Sequence, residues 1–139
     1  MDHAATMQRA YDLINAGDID GFGDLLADDF VEHEETPGLE PTKAGVKAFF
    51  RMYVAAFSDL RFRPEDMIAS GDKVVTRARV TGTHQGEFLG IPATGKSVDV
   101  QIIDIVRFGD DGLGHEHWGV VDAMALMQQL GVIPEGAPA

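Results

Sequence analysis

The sequence predicts an α+β domain in which a curved antiparallel sheet wraps around N-terminal helices as a cone-shaped barrel, with a further helix at the C-terminus. Three observations predict this fold. Apolar residues recur at helical spacing up to residue 57, alternate with polar residues between about residues 60 and 121, and return to helical spacing from residue 123. The length of 139 residues suits one domain, which we expect to cover residues 1–139.

Two helices are predicted at the start of the chain. Residues 2–16 carry apolar side chains near a 3.6-residue spacing, and Gly17 is a typical stop signal. Asp18 is a good N-cap for a second, short helix over residues 19–26. The stretch DDFVEHE that follows favours a short extended segment.

A third helix is predicted after a loop rich in Pro, Gly and Thr, TPGLEPTKAG. Thr42 is expected to cap it, and residues 43–57 form it. Its inner face includes Phe50 and Tyr53. These two aromatic side chains are core residues by default, and a pocket inside the cone would also use them as walls.

The middle of the chain predicts an antiparallel meander. The segment LRFRPEDMIASGD alternates and ends in a turn, and KVVTRARVTGTH places small apolar residues on one face and Arg77 and Arg79 on the other. The segment SVDVQIIDIVRF is apolar on both faces, which predicts a central strand covered on both sides. HEHWGVV is the last strand, and Asp122 to Leu130 is the last helix.

Composition excludes several classes of function. The chain carries 11 basic and 23 acidic residues, a net charge of −12, which argues against binding to nucleic acid or to an anionic membrane surface. It has no cysteine, no apolar run long enough to span a bilayer and no apolar signal core at its N-terminus. We expect a soluble, cytoplasmic protein without nucleic-acid or membrane partners.

Asp104 and Gln101 are candidate polar groups on the central strand. Asp104 shares a face with Val98, Val100, Ile102, Val106 and Phe108, and a carboxylate on such a face must be paired, hydrogen-bonded or protonated. Pairing with Arg77 or Arg79 is one expectation, and a second acid in a pocket is the other. Gln101 lies on the opposite face and can offer its amide to a substrate carbonyl.

Asp122 supports two interpretations. It precedes AMALMQQL, a good helical sequence, and so suits an N-cap. It also suits a catalytic base, provided that the carboxylate faces an apolar pocket that raises its pKa. The two uses compete, because hydrogen bonds from backbone N–H groups would lower the pKa and weaken the base.

The histidines and Trp118 complete the set of candidates. His117 and Trp118 must face opposite sides of a regular strand, and the spacing places Trp118 on the side of Asp122. His117 can orient a carboxylate or donate to an enolate oxygen; it can also be a partly buried structural histidine. His33, His84 and His117 lack the short spacing of metal ligands, so we expect neither a metal site nor a cofactor.

The chain resembles the SnoaL-like polyketide cyclases, also called ester cyclases, of the nuclear-transport-factor-two-like superfamily. Three segments carry the resemblance most strongly: GTHQGEFLGIPATGK, IDIVRF and EHWGVVD. FVEH and AAFSDLRF match more weakly, and the whole resemblance extends from about Tyr11 to Val132. The family has the cone-shaped α+β fold, which agrees with the order of predicted elements.

The resemblance implies a cofactor-free enzyme that closes a ring by intramolecular aldol condensation of a polyketide ester. Asp122 matches the family's acid/base aspartate by position, and His117 is the second catalytic candidate. The resemblance also implies a homodimer that forms through the convex face of the sheet. The expected partner in the pocket is therefore a small, apolar, carbonyl-containing molecule.

Seven residues are predicted to bind this molecule. The family often has a pocket-facing histidine at the position of His33, although a solvated loop residue among acids is the other interpretation. Phe88 lies in FLGIP, a loop that can shut the pocket from water or form an inter-subunit contact. The full predicted set is His33, Phe50, Tyr53, Phe88, Gln101, Asp104 and Trp118.

Two alternatives to the cyclase remain open at the level of sequence. Related cones carry out isomerisation and epoxide hydrolysis with pocket carboxylates. A cone of this kind can also hold a small apolar ligand without chemistry, or keep a vestigial pocket in a dimer.

Overall fold

The computed structural model describes residues 2–134, which form four helices and one five-stranded sheet. The helices are α1 (His3–Asn15), α2 (Ile19–Gly23), α3 (Lys43–Ala56) and α4 (Ala123–Leu130). The strands are β1 (Leu26–Glu32), β2 (Arg61–Ser70), β3 (Lys73–Thr83), β4 (Ser97–Phe108) and β5 (Gly114–Val121). The predicted fold class is confirmed.

Each helix begins where a side chain caps its first turn. The side chains of Asp2, Asp18, Thr42 and Asp122 accept hydrogen bonds from backbone N–H groups three residues further on. These caps satisfy donors that the first helical turn leaves free, and each one sets a helix start. All four helix starts lie within a residue of the predicted ones.

The second helix is shorter than predicted. It ends at Gly23, and Leu26 already belongs to β1. The reason is a contact distant in sequence: the Leu25 carbonyl accepts a hydrogen bond of 2.9 Å from the Gly114 N–H, which draws the chain into the sheet.

The sheet has the strand order β1-β5-β4-β3-β2. The pairs β2–β3, β3–β4 and β4–β5 are antiparallel as predicted, whereas β1 pairs with β5 in parallel. The sheet is curved. It does not close into a barrel, because β1 and β2 are its two edge strands. Helices α1 and α3 pack against the inner side near β2 and β1, and α4 packs on β4.

The predicted inner face of β3 and β4 is confirmed. Val74, Ala78 and Val80 of β3 are buried, as are Val98, Val100, Ile102, Val106 and Phe108 of β4. Burial of such apolar surface stabilises the fold by roughly 25 cal/mol for each Å² removed from water.

The outer face of β4 differs from the prediction. Ile103 is 39% exposed, and nothing else in residues 2–134 covers this side of the strand. The central strand is therefore covered on one side by the chain itself. In the same described part of the chain, no helix is both long and apolar enough to cross a membrane.

Candidate active site

A cavity of about 730 Å³ lies between the helices and the inner face of the sheet. Its walls are mainly apolar and aromatic, and they come from α1, α3 and the inner sides of the strands. Ten of the lining residues illustrate this character: Tyr11, Phe22, Phe30, Phe49, Phe50, Tyr53, Phe57, Phe62, Ile102 and Phe108. A cavity of this size and character suits a flat, apolar small molecule.

A chain of four hydrogen-bonded side chains lies along one side of the cavity. The Tyr11 hydroxyl donates to Oδ2 of Asp104 over 2.6 Å, and Oδ1 of Asp104 lies 2.9 Å from Nε2 of His117. Nδ1 of His117 lies 2.5 and 2.8 Å from the two carboxylate oxygens of Glu32. We call these four residues the ion-pair cluster.

The sheet register brings the cluster together. His117 of β5 pairs with Glu32 of β1 on one side and with Val106 of β4 on the other. Asp104 lies two residues from Val106, and so it shares the inner face with His117. Tyr11 reaches the same place from α1, where it is buried. Three separate elements therefore fix the side chain of Asp104 and its neighbours.

The charges of the ion-pair cluster determine its protonation. Burial alone would lower the pKa of His117, but the hydrogen bonds and negative charges of Asp104 and Glu32 raise it to about 10. His117 is thus an imidazolium ion at neutral pH, and both of its N–H groups donate to carboxylates. Burial and the charge of Asp104 raise the pKa of Tyr11 well above its usual range, so its hydroxyl remains a donor.

Glu34 is the further acid at this end of the cavity. It lines the cavity, and its carboxyl group makes no hydrogen bond within residues 2–134. Burial and the negative charges of Asp104 and Glu32 raise its pKa, although the charge of His117 opposes them. The charge of Glu34 in turn adds to burial in raising the pKa of Tyr53 to about 12.

Gly119 marks the place where the acids converge. It pairs with Asp104 across β4 and β5. A Cβ atom at this position would lie 2.7 Å from Oε1 of Glu34, 2.7 Å from Cε1 of His117 and 2.8 Å from Oδ1 of Asp104. The absence of a side chain here leaves the room that Glu34 occupies.

Glu32, Glu34 and His117 place one potential metal ligand each within 4.8 Å of one another. A metal ion would need a ring nitrogen of His117, but both nitrogens already face carboxylates at hydrogen-bond distance. The donor set thus forms a saturated ion-pair network, and we do not assign it as a metal site.

Asp122 does not lie where the catalytic prediction requires. Its Oδ1 accepts a hydrogen bond of 3.1 Å from the Ala125 N–H, and the residue is exposed and outside the cavity. The geometry is that of the N-cap interpretation. A carboxylate in this exposed position lacks the apolar surroundings that the catalytic interpretation requires.

Trp118 and Gln101 also lie outside the cavity. Trp118 pairs with Ile105 on the convex face of the sheet, where its ring stacks on His33 at 4.8 Å between centroids. The Gln101 side chain accepts a hydrogen bond from Arg77 on the same face. Both predictions are corrected by the register of β4 and β5, which points His117 inward and Trp118 outward.

The predicted pairing of Asp104 with an arginine is corrected for the same reason. Arg77 binds Asp66 and Arg79 binds Asp99, both on the convex face. Asp104 faces the cavity, where its partners are His117 and Tyr11.

The other predicted residues are divided between the cavity and the core. Phe50, Tyr53, Asp104 and His117 line the cavity. His33 borders the cavity too, but it is exposed and its ring stacks on Trp118 at the convex face. Phe88 is 1% exposed and lies in the core against the rings of Tyr53 and Phe57, so the structure does not place it on a lid over the cavity.

Three residues of the site were not predicted: Tyr11, Glu32 and Glu34. A signal for the two acids was present, because Glu32 and Glu34 follow the buried Phe30 at two-residue spacing, which places all three on one face of β1 and its extension. For Tyr11 no local signal exists, since a tyrosine on the inner face of a helix is more often a core residue.

Comparisons with known proteins agree with this architecture. The model of a family described as SnoaL-like polyketide cyclase matches residues 4–130. No curated protein sequence matches significantly.

Solved structures give the same result. TsrD from Streptomyces laurentii is 31% identical, with 93% of this chain and 97% of that chain covered and a TM-score of 0.82. AclR from Streptomyces galilaeus, a candidate hydroxylase, is 30% identical over 99% of this chain and 85% of its own, with a TM-score of 0.87. IdmH from Streptomyces antibioticus, a candidate polyketide cyclase, is 30% identical over 94% and 99%, with a TM-score of 0.81.

Proposed function

Because the chain belongs to the SnoaL-like polyketide cyclase family, we propose that it is a cofactor-independent enzyme that carries out acid/base chemistry on a small, apolar carbonyl compound. The leading reaction is an intramolecular aldol-type ring closure. In that reaction a proton leaves the carbon next to one carbonyl group, and the resulting enolate attacks a second carbonyl group of the same molecule.

The observation that carries this proposal is the buried ion-pair cluster along one side of an otherwise apolar cavity. An imidazolium ion held at His117 between Asp104 and Glu32 is a fixed positive charge with low exposure, since its side chain is 17% exposed. The ion pair holds its charged groups in place beside the cavity, and the apolar walls strengthen their electrostatic effect on a carboxyl group that exchanges protons with the substrate. The walls also exclude water that would protonate the enolate.

Related chemistry remains the alternative within the same proposal. An isomerase needs the same enolate and omits only the bond-forming step, and a hydrolase would use the acids to activate water. A protein of this fold that only binds a small ligand would need the cavity and no catalytic residue.

A model carbon acid tests the proposal. We expect the wild-type protein to accelerate the exchange of the C1 protons of 2-tetralone with D₂O, followed by NMR, above the rate in buffer. Asp104→Asn removes the negative charge beside His117, although it keeps an oxygen that can accept the hydrogen bond, and it should slow this exchange by about tenfold or more. Asp122→Asn is the matched control, because Asn caps a helix as well as Asp does, and it should leave the exchange rate unchanged.

The outcomes separate the alternatives. Binding of 2-tetralone without accelerated exchange would support the ligand-binding cone and contradict the enzyme. Loss of exchange in Asp122→Asn with full activity in Asp104→Asn would return the catalytic role to Asp122.

We also propose that two copies associate through the convex face of the sheet. This face carries exposed apolar side chains at Ile68 of β2 and Ile103 of β4, together with the stacked pair of Trp118 and His33. Analytical ultracentrifugation tests the proposal: the wild type should sediment as a dimer, and Ile103→Lys should shift it towards the monomer. A monomeric wild type contradicts it.

A further inference from the structure

We infer that Glu34 is the residue that takes a proton from the substrate and returns it, and that Gly119 keeps the space for its carboxyl group. This inference rests on the proposed function, because it assigns the proton-transfer step of that chemistry. It differs from the expectation for Asp122, whose side chain caps α4.

The two acids that contact His117 already take part in hydrogen bonds. Asp104 accepts from Tyr11 with one oxygen and from His117 with the other. Glu32 faces Nδ1 of His117 with both of its oxygens. The oxygens of both carboxylates are therefore engaged and do not point freely at a substrate. Within the described residues, Glu34 is the carboxyl of this group whose oxygens make no hydrogen bond.

The position of the Glu34 carboxyl group also supports this role. A Cβ atom added to Gly119 would lie within 2.8 Å of Oε1 of Glu34, Cε1 of His117 and Oδ1 of Asp104. Glu34 therefore lies against the ion-pair cluster at the cavity wall. A substrate that presents its acidic C–H bond to Glu34 therefore lies beside the ion-pair cluster.

Side chains from three strands and one helix set the electrostatic environment of Glu34. Asp104 and Glu32 contribute negative charge, His117 contributes positive charge, and Tyr53 of α3 presents a neutral ring. Burial and the two carboxylates outweigh His117, so the pKa of Glu34 is raised. A carboxyl group whose pKa moves towards neutral pH can act as both base and acid near that pH.

The proton and electron balance closes without another reactant. The Glu34 carboxylate takes the proton as the C–H bond breaks, and the electron pair passes to the carbonyl oxygen to give the enolate. The enolate carbon then forms a bond to the second carbonyl carbon, whose π electrons move to its oxygen. The new alkoxide takes the proton back from the Glu34 carboxylic acid, which restores the carboxylate.

The test uses the exchange of 2-tetralone described above with the variant Glu34→Gln. We expect the exchange rate to fall by about a hundredfold, and the rise of the rate with pH that reflects ionisation of Glu34 to disappear. Glu34→Asp should keep a weaker activity with a pH-dependent rise. Glu87→Gln is the matched control, because Glu87 is exposed and outside the cavity.

A second readout is independent of turnover. In a ¹³C NMR titration of the glutamate carboxyl groups, the resonance with a pKa above the usual value of about 4.3 should be missing in Glu34→Gln and present in Glu87→Gln.

The failures are distinguishable. If wild-type protein accelerates exchange and Glu34→Gln does so equally, the inference about Glu34 is wrong and the proposed enzyme stands. If the wild type gives no acceleration, the proposed function fails and the inference fails with it.

Discussion

Nε2 of His117 lies 2.9 Å from Oδ1 of Asp104, on neighbouring strands and facing the same cavity. The contact joins two partly buried groups of opposite charge, and Glu32 completes it from the other side of the ring. A triad of two carboxylates and one imidazolium carries a net charge of −1, so a further acid beside it ionises less readily. The stability of the protein and the chemistry of the cavity both depend on this relationship.

Stability should fall with rising pH because of His117. Its pKa is raised from 6.5 to about 10 in the folded protein, so its contribution is fully present below pH 6.5 and is lost as the pH rises towards 10. Across this window each pH unit can remove up to about 1.4 kcal/mol of unfolding free energy. Urea denaturation between pH 6.5 and 9 measures the slope.

The variant His117→Gln should remove most of this slope. His115→Gln is the matched control, because His115 also contacts carboxylates, Asp111 and Asp29, but at the outer end of the sheet. An equal slope in wild type and His117→Gln contradicts the assignment of a buried imidazolium.

Glu34→Gln should make the protein more stable at pH 7 although it is expected to slow the reaction. The pKa of Glu34 is raised in the folded state, so its contribution to stability is present below pH 4.5 and is lost as the pH rises through the folded pKa. At neutral pH the ionised form therefore costs stability, and a neutral isostere removes this cost.

Thermal unfolding at pH 7 and pH 4 measures the effect. The increase in Tm should be present at pH 7 and smaller at pH 4, where the wild-type carboxyl is largely protonated. Glu87→Gln should change Tm little at either pH. A decrease in Tm for Glu34→Gln at pH 7 would show that Glu34 has a supporting role in the fold.

Gly119→Ala should impair the site more than the fold. The new Cβ would lie 2.7 Å from Oε1 of Glu34, so the Glu34 side chain must move away. We expect the exchange of 2-tetralone to fall by about tenfold or more, with KM changed less than kcat, because the reacting group moves and the cavity walls stay in place.

Gly109→Ala provides the control for this substitution. Its Cβ would be equally crowded, at 2.5 Å from Nε2 of His115, but in a turn outside the cavity. Full exchange activity in Gly119→Ala would show that the space above this glycine does not matter for the reaction.

Asp122→Ala should lower stability and leave the exchange rate unchanged. The substitution removes the hydrogen bond from the Ala125 N–H to Oδ1 of Asp122. Loss of such a cap costs about 0.5–2 kcal/mol, which urea denaturation can resolve. Asp122→Asn should retain both stability and activity, and loss of activity in both variants with an intact fold would contradict the cap.

Local sequence patterns predicted most of this fold because its elements have local causes. The helix starts follow from side chains that cap them, and β3 follows from strict alternation around Val74, Ala78 and Val80. The parallel pairing of β1 with β5 was not predicted, because it joins segments more than eighty residues apart and depends on no local pattern.

The site was predicted in part for a related reason. Asp104 was identified because a charged group on an apolar strand needs a partner, and His117 because a histidine there can orient a carboxylate. The orientation of β5 was wrong, since the register against β4 decides whether His117 or Trp118 faces inward. That register depends on the whole meander, and a shift of one residue reverses every side chain.

One consequence of the sheet topology concerns how such a protein can diversify. Asp104 and His117 lie within β4 and β5, where substitutions disturb neighbours on both sides, whereas Glu32 ends the edge strand β1 and Glu34 begins the connection to α3. Connections of this kind tolerate changes of length and sequence. The ion pair of Asp104 and His117 is thus inherited with the framework, while the acid beside it can be exchanged, moved or deleted through a short segment, which makes residues 33–42 the natural target for redesigning the reaction.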